Sequence, residues 1–361
     1  MSDFIPVARI ADMLLHPGEA YRFNGETRTY PEIKLVYWAG GNPFHHHQDL
    51  NRLRKAFARL DTLVVHELAW TATARHADFV LPCTMTLERE DIGANSNDPL
   101  LVPMHPIAPP YGEARDDYAI FADLAERLDA REAFTEGRRD CRRRALTNSG
   151  KARAASSRSN PTMADTCGPS ETIRRQIHCR HQAASCKSTP KRLRALRKRI
   201  VRAIPPGSEP SMSPLRPHPY VLISNQPRTR LHSQLDFGGH SVASKHRGRE
   251  VATMHPGDAA SRGISEGDII RLSDERGACL AAVTLSDGVR RGVIQLATGA
   301  WYDPADPNEE KSLCVHGNPN VLTRDIGTSA LAQGCTGQLT TVQVERFDGN
   351  LPEIRAFDPP V

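Results

Sequence analysis

K-L-V-Y-W-A-G-G-N-P-F-H-H-H-Q-D-L-N-R-L-R-K-A-F-A-R-L-D-T-L-V-V-H-E (34–67) decides the fold class of the first part of this chain. Lys34 to Trp38 is a short apolar run that breaks at Gly40-Gly41-Asn42-Pro43, a strong turn signal. From Gln48 to Leu60, the residues Leu50, Leu53, Phe57 and Leu60 recur at helical spacing with charges between them. Leu63 to Glu67 reads as a second buried strand and Asp78 to Leu81 as a third. Strand, turn, helix, strand is the parallel α/β pattern, in which ligands sit at the carboxyl ends of strands. Three loops therefore matter: 40–48, 66–75 and 82–91. A further helix is expected with Asp116 as its N-cap, carrying Tyr118, Phe121, Leu124 and Leu128.

The last part of the chain changes rhythm. Tyr220 to Ser224 reads as a strand that runs into the polar loop N-Q-P-R-T-R-L-H-S-Q (225–234). H-P-G-D-A-A-S-R-G (255–263) predicts a short helix with proline at its start and glycine at its end. Short apolar segments at 267–272, 279–285 and 292–297, separated by turn residues, indicate a small β-barrel. The polar stretch from His316 to Gly334 has no nucleophile beside an acid or base. Cys279, Cys314 and Cys335 also lack a basic neighbour and are expected to be buried small apolar residues. The three adjacent histidines 45–47 suit hydrogen bonding to an anionic ligand better than shared metal ligation, because consecutive helical residues diverge by about 100°.

The net charge of +5 conceals a sharp partition. Residues 1–137 hold 13 basic and 21 acidic side chains, and residues 220–361 hold 14 and 17. Between them, 138–219 holds 20 basic and 4 acidic side chains, four cysteines (Cys141, Cys167, Cys179, Cys186) and no aromatic residue. The cysteine spacing there lacks a C-x-x-C knuckle, so a zinc site is not supported. Eight cysteines in 361 residues do not make a disulfide scaffold. The amino terminus M-S-D-F-I-P has no basic, apolar or twin-arginine export signal, so a cytoplasmic location is expected. No run of residues is long and apolar enough for a membrane span.

Both flanking parts resemble the molybdopterin oxidoreductases of the dimethyl sulfoxide reductase family, in the branch of biotin sulfoxide and trimethylamine N-oxide reductases. The resemblance is carried by V-Y-W-A-G-G-N-P-F-H-H-H-Q-D-L-N-R-L (36–53), W-T-A-T-A-R-H-A-D-F-V-L-P (70–82) and E-R-E-D-I-G (88–93). It continues in S-N-Q-P-R-T-R-L-H-S-Q-L-D (224–236), G-A-W-Y-D-P (299–304) and the run from His316 to Cys335. It implies an α/β partial domain (1–137) and a C-terminal double-psi β-barrel that binds a molybdopterin dinucleotide (220–361), with a basic, disordered or out-of-frame segment between them (138–219). It implies a bis(molybdopterin guanine dinucleotide) molybdenum cofactor, which performs two-electron oxygen-atom transfer on a small S- or N-oxide. By the same resemblance, Gly41, Asn42, His46 and Gln48 contact the cofactor from the first strand's end, and His66, Glu67 and Arg75 from the second. Asp117 would accept from guanine N–H groups. Asn225, Gln226, Arg228, Arg230, His232, Gln234, Asn318, Asn320 and Gln333 would close over dithiolenes and phosphates from the barrel. No residue is assigned as a catalytic group or molybdenum ligand, because the family segment bearing the serine ligand has no counterpart here. A fragment with little activity of its own is the resulting expectation.

Three readings compete for 138–219. The favoured one is family sequence translated out of frame: Arg199 to Glu209 can be back-translated so that a shifted frame gives D-C-P-G-H-P-A-W-L, which is similar to what the family carries before its last domain. A plain disordered linker is the second. The third is a basic arm, with K-R-L-R-A-L-R-K-R-I-V-R-A-I (191–204) binding nucleic acid or an anionic surface by counterion release. The absence of base-stacking aromatics argues against single-strand recognition, and a nucleic-acid partner is not expected. A non-catalytic binding protein, or a subunit complementing a separate N-terminal polypeptide, is the alternative from a different functional class.

Overall fold

The computed structural model describes residues 4–95, 98–137, 219–330, 332–337 and 340–360. All three readings of 138–219, including disorder, lie outside them but for Pro219 at the segment's edge. Contacts divide the chain into two units, and they do not keep 1–137 together. Among the described residues, the first unit holds 4–65, 69–80 and 219–360, and the second holds 66–68 and 81–137.

The first unit begins with helix α1 (Ile10–Leu15), which buries Ala11, Met13 and Leu14. The hairpin β1 (Ala20–Phe23) and β2 (Glu26–Thr29) follows, pairing Phe23 with Glu26. Its two-residue turn, Asn24-Gly25, has φ of 51° and 81°, as an asparagine-glycine hairpin turn requires. Strand β3 (Leu35–Ala39) leads through the glycine turn into the one-turn helix α2 (Pro43–His46) and then α3 (Leu50–Phe57). Asp49 caps α3 by accepting from the Arg52 N–H at 3.1 Å, so the helix starts at Leu50, its first apolar position, and not at Gln48. Leu50, Leu53, Ala56 and Phe57 form its buried face. Strands β4 (Thr62–Glu67) and β5 (Phe79–Pro82) complete a three-stranded sheet in the order β3-β4-β5. The bonds Asp78 N–H to Leu63 C=O and Cys83 N–H to Glu67 C=O climb in the same direction, as in a parallel pair.

The second unit carries the antiparallel pair β6 (Asp91–Asn95) and β7 (Asp98–Met104), then helices α4 (Asp117–Arg127) and α5 (Arg131–Thr135). Asp116 is the N-cap of α4 and accepts from the Ala119 N–H at 2.8 Å, as the sequence predicts. Asp116→Ala is expected to cost about 0.5–2 kcal/mol, measured by urea titration of the α4 signal.

The rest of the first unit is a barrel. Its elements are β8 (Tyr220–Ile223), α6 (Gly239–Ala243), β9 (Val251–Met254), α7 (Pro256–Ala260), β10 (Ile269–Ser273), β11 (Ala278–Leu285), β12 (Val293–Leu296) and β13 (Thr340–Arg346). The six strands close in the order β10-β11-β9-β12-β8-β13. Two pairs, β9 with β11 and β8 with β12, are parallel and the other four antiparallel, the double-psi arrangement. Leu222, Met254, Ile270, Leu272, Ile294, Leu296 and Val342 are fully buried and belong to one continuous core with Phe44, Leu50 and Leu53 of the α/β elements. Closure leaves no free strand edge in the barrel. Cys279 and Cys314 are buried as expected, whereas Cys335 is exposed: its strand-like bridge to Gly327 lies on a surface loop. That expectation for Cys335 is corrected. Among the described residues, no helix is long and apolar enough to cross a membrane.

Candidate functional site

The turn 41–48 is the best-defined polar feature of the first unit. Gly41 has φ of 82°, its C=O accepts from the Trp38 indole N–H at 3.0 Å, and a Cβ there would point at His46 Nε2, 3.5 Å away. Glycine therefore serves both the left-handed backbone and the open approach to His46. Asn42, His45, His47 and Gln48 are buried on this turn, while His46 is exposed. The Thr73 hydroxyl donates to Asn42 Oδ1 at 2.5 Å, but Asn42 Nδ2, His45 Nδ1 and His47 Nε2 are buried without a hydrogen-bond partner. Buried polar atoms are rarely left so, and three on one turn indicate a site that a polar ligand completes.

The imidazoles form a cluster. Ring centroids lie 4.9 Å apart for His46 and His47, 6.3 Å for His45 and His46, and 6.4 Å for His45 and His232. Burial, then His46, His232 and Arg230, push His45 down to about 3, against a small opposing effect of Asp236. Burial, then His46 and Arg9, push His47 to the same value. Desolvation and His232 also lower His46. These rings are thus neutral near pH 7 and present one donor and one acceptor nitrogen each.

The barrel reaches the turn through two asparagines. Asn318 Nδ2 donates to the Phe44 C=O at 3.2 Å, and Asn320 Nδ2 donates to the His45 C=O at 2.5 Å. Asn318 Oδ1 in turn accepts from the Asn320 N–H, and Asn320 Oδ1 from the Thr323 hydroxyl. Both are buried, so their side-chain amides fix the turn. Asn320→Ala would leave the His45 carbonyl and the Thr323 hydroxyl without this partner. It is expected to cost about 1–3 kcal/mol in a denaturation series and to weaken any ligand held by His45.

Arg230 is committed to protein partners. Its guanidinium donates to the Ser241 hydroxyl at 3.1 Å, to Glu250 at 2.7 Å and to the Thr298 C=O at 3.2 Å, and its Nε lies 3.3 Å from Asp236. Lys245 bridges Asp236 at 2.9 Å and Glu250 at 3.0 Å. All four charged side chains are at least 92% buried, and none but Arg230 was singled out by sequence. Burial raises Asp236, but Lys245, His316 and Arg230 outweigh it and hold the carboxyl below its ordinary value. This ion cluster fixes the backbone of the 228–236 loop, in which His232 has φ of 53°.

The remaining residues are dispersed. Arg75 donates to the Arg355 C=O at 2.8 Å, and Gln333 to the Arg22 C=O at 2.7 Å, so both tie loops together. Gln48 donates to the His46 C=O at 3.2 Å. Gln226, Arg228 and Gln234 are exposed; Asn225 and Arg228 line a cavity of about 200 Å³ with Thr253 and Gln295. Asn225 Oδ1 is buried and unpartnered there. In the second unit, His66 Nδ1 lies 2.7 Å from Asp117 Oδ1, and Glu67 accepts from the Leu68 N–H at 2.9 Å. The His66 side chain is 1% exposed and that of Asp117 43%, so a buried ring steadies an accessible carboxylate. Among the described residues, no group of three or more His, Cys, Asp or Glu side chains is placed to hold a metal ion.

All three histidines were expected to hydrogen-bond an anionic ligand, but the resemblance assigned only His46 to the cofactor; three adjacent imidazoles do not reveal which two turn inward. Asp236, Lys245 and Glu250 gave no sequence signal, since isolated charges usually remain in water.

Known proteins match two regions of this chain. Residues 15–127 match the family described as Molybdopterin oxidoreductase, and residues 220–340 the Molydopterin dinucleotide binding domain. The biotin sulfoxide reductase of Cereibacter sphaeroides is 38% identical over 395 residues, covering 99% of this chain and 51% of that protein. The dimethyl sulfoxide/trimethylamine N-oxide reductase of the same organism is 39% identical, with 99% and 46% covered. The trimethylamine-N-oxide reductase of Haemophilus influenzae is 38% identical, with 98% and 46% covered. The chain thus spans about half the length of the curated relatives it matches. The acetylene hydratase from Pelobacter acetylenicus shares the fold, with a TM-score of 0.58 at 17% identity over 88% of this chain and 45% of that one. With both family regions matched in order on the α/β elements and the closed barrel, the chain belongs to the molybdopterin oxidoreductase family.

Proposed function

We propose that this chain binds a molybdenum-carrying molybdopterin guanine dinucleotide, in the bis form, as part of an enzyme that reduces small S- or N-oxides. The observation that carries the proposal is the turn 41–48, with its buried, unpartnered Asn42 Nδ2, His45 Nδ1 and His47 Nε2. Such a set suits a large ligand rich in phosphate and ring heteroatoms. When bound, the molybdenum of this cofactor supplies two-electron oxygen-atom transfer; the protein contributes binding, orientation and electrostatics.

In this reading, Gly41 admits the ligand close to the backbone, and Asn42, His45, His46, His47 and Gln48 hydrogen-bond it. Asn318 and Asn320 hold the turn in shape, and Arg230 holds the loop that presents His232. Asn225, Gln226, Arg228 and Gln234 supply further donors from the same loop. Asp117, steadied by His66, accepts from guanine N–H groups, which favours guanine over cytosine in the dinucleotide. Arg75 and Gln333 act through loop position, because their side chains are bonded to backbone carbonyls.

The test is chemical. Chain purified from cells that make the cofactor is acid-treated, the released nucleotide identified by mass spectrometry and molybdenum counted by elemental analysis. GMP together with molybdenum is expected, and Asp117→Asn should reduce both. Release of CMP would overturn the guanine assignment, and absence of both nucleotide and metal would overturn the binding proposal. Oxidation of a reduced viologen dye by trimethylamine N-oxide and by biotin sulfoxide then tests the substrate class.

A further inference from the structure

The turn 41–48 places more ionisable nitrogen than a neutral site needs. Four imidazoles (His45, His46, His47 and His232) lie within 4.9–6.4 Å of a neighbour in the cluster, and two of them are at least 95% buried with an unpartnered nitrogen. We propose that His45 and His47 take up protons when an oxyanion binds this turn, so that two neutral rings become imidazolium partners of the ligand. The inference rests on the proposed cofactor site and adds to it a protonation state coupled to occupancy.

Around His45 stand His46 on its own turn, and Arg230, His232 and Asp236 on the 228–236 loop. Around His47 stand His46 and, from the start of α1, Arg9, which is itself paired with Asp12 and Asp325. Asp49, two residues on, caps α3, and burial raises its carboxyl. Positive or potentially positive groups therefore surround both rings, and the carboxylates near them are already spoken for by arginine, lysine or a backbone N–H. Burial first, and then these positive neighbours, disfavour an added proton, and both rings sit at about 3. A dianion in hydrogen-bond contact supplies that counter-charge in a water-poor place, where a neighbouring opposite charge favours the ionised form strongly. The proton comes from solvent and adds to the lone pair of whichever ring nitrogen lacks hydrogen; both nitrogens are then donors.

The sign of the coupling follows. A group whose affinity for protons rises on ligand binding makes the ligand bind more tightly as pH falls. If one ring returns to its ordinary value near 6.5, affinity should rise ~30-fold between pH 8 and pH 5, and the second ring would add to this.

Sulfate is the probe, because its own charge does not change over this range. The full chain, labelled with ¹⁵N at histidine, is titrated by NMR from pH 8 to pH 4 with sulfate or with potassium chloride at equal ionic strength. His45→Gln and His47→Gln serve to assign the two rings among the 15 histidines. Without sulfate, both rings are expected to stay neutral to the acid end; with saturating sulfate, their midpoints should move up by at least two pH units. Sulfate that perturbs the ring signals without moving either midpoint would overturn proton uptake while leaving the site itself standing. Sulfate that acts no differently from chloride would overturn the oxyanion site and the coupling together.

Discussion

Lys245→Met is expected to lower stability by about 3–5 kcal/mol, read as a shift of the guanidinium unfolding midpoint at pH 7. Arg230, Asp236, Lys245 and Glu250 balance two positive against two negative charges in a place where water reaches none of them well. Removing the ammonium leaves one buried negative charge uncompensated, and the cost of that exceeds the loss of the bonds themselves. Adding Glu250→Gln to Lys245→Met should therefore recover part of the loss. An additive double variant would show that the pair does not interact. Asp236 gives the pH dependence. Its carboxyl is held below its ordinary value in the folded protein, so its contribution is present above about pH 4 and is lost as pH falls through the folded value. Lys245→Met removes the largest of the interactions that hold it down. Acid unfolding of the variant should begin at higher pH than that of the unaltered chain.

Gly299→Ala is the second large effect. Gly299 has φ of 104°, and a Cβ there would overlap the His232 carbonyl oxygen and stand 2.9 Å from Arg230 Nε. The obstacle on one side is backbone, and on the other a guanidinium fixed by carboxylates, so neither yields cheaply. Backbone strain and overpacking together should cost about 2–5 kcal/mol. Gly18→Ala is the control: φ there is 83° but no atom lies within 4 Å of the added carbon. It should show the strain alone, about 1–2 kcal/mol. Equal losses at the two sites would refute the close approach at Gly299. Because the clash falls on His232, Gly299→Ala should also weaken sulfate binding at the histidine turn, which Gly18→Ala should leave intact.

Much of the architecture could be read directly from residue patterns. The runs at 34–38, 63–67 and 78–81 are strands within a residue or two, and Asp116 is the N-cap it promised to be. Two elements were legible but unread. The Asn24-Gly25 turn is a strong short-range hairpin signal, and T-T-V-Q-V-E-R (340–346) alternates buried and less buried residues as a half-buried strand does. Strand β9 offered too little: V-A-T-M (251–254) is four residues long, and only its place between β11 and β12 makes it a strand. The site followed the same division. Family motifs located the loops, but not which side chains face inward. Arg230 and Arg75 look alike in sequence as anion binders, yet one is locked among carboxylates and the other is bonded to a carbonyl of the C-terminal segment. Such commitments depend on residues far away in the chain, and local pattern carries no trace of them.

The tether from Asn318 and Asn320 to the turn at Phe44 and His45 spans 274 and 275 residues. Its consequence lies in the order of events during synthesis. The histidine turn leaves the ribosome 274 to 275 residues ahead of the asparagines that fix it. At ~5–20 residues per second, that interval is on the order of 15–55 s. Barrel closure is equally late, since the β8–β13 pair spans about 120 residues and cannot form before residue 340 exists. For that time Phe44, Leu50 and Leu53 have no barrel to pack against, and the nascent α/β segment exposes them to whatever else is in the cell.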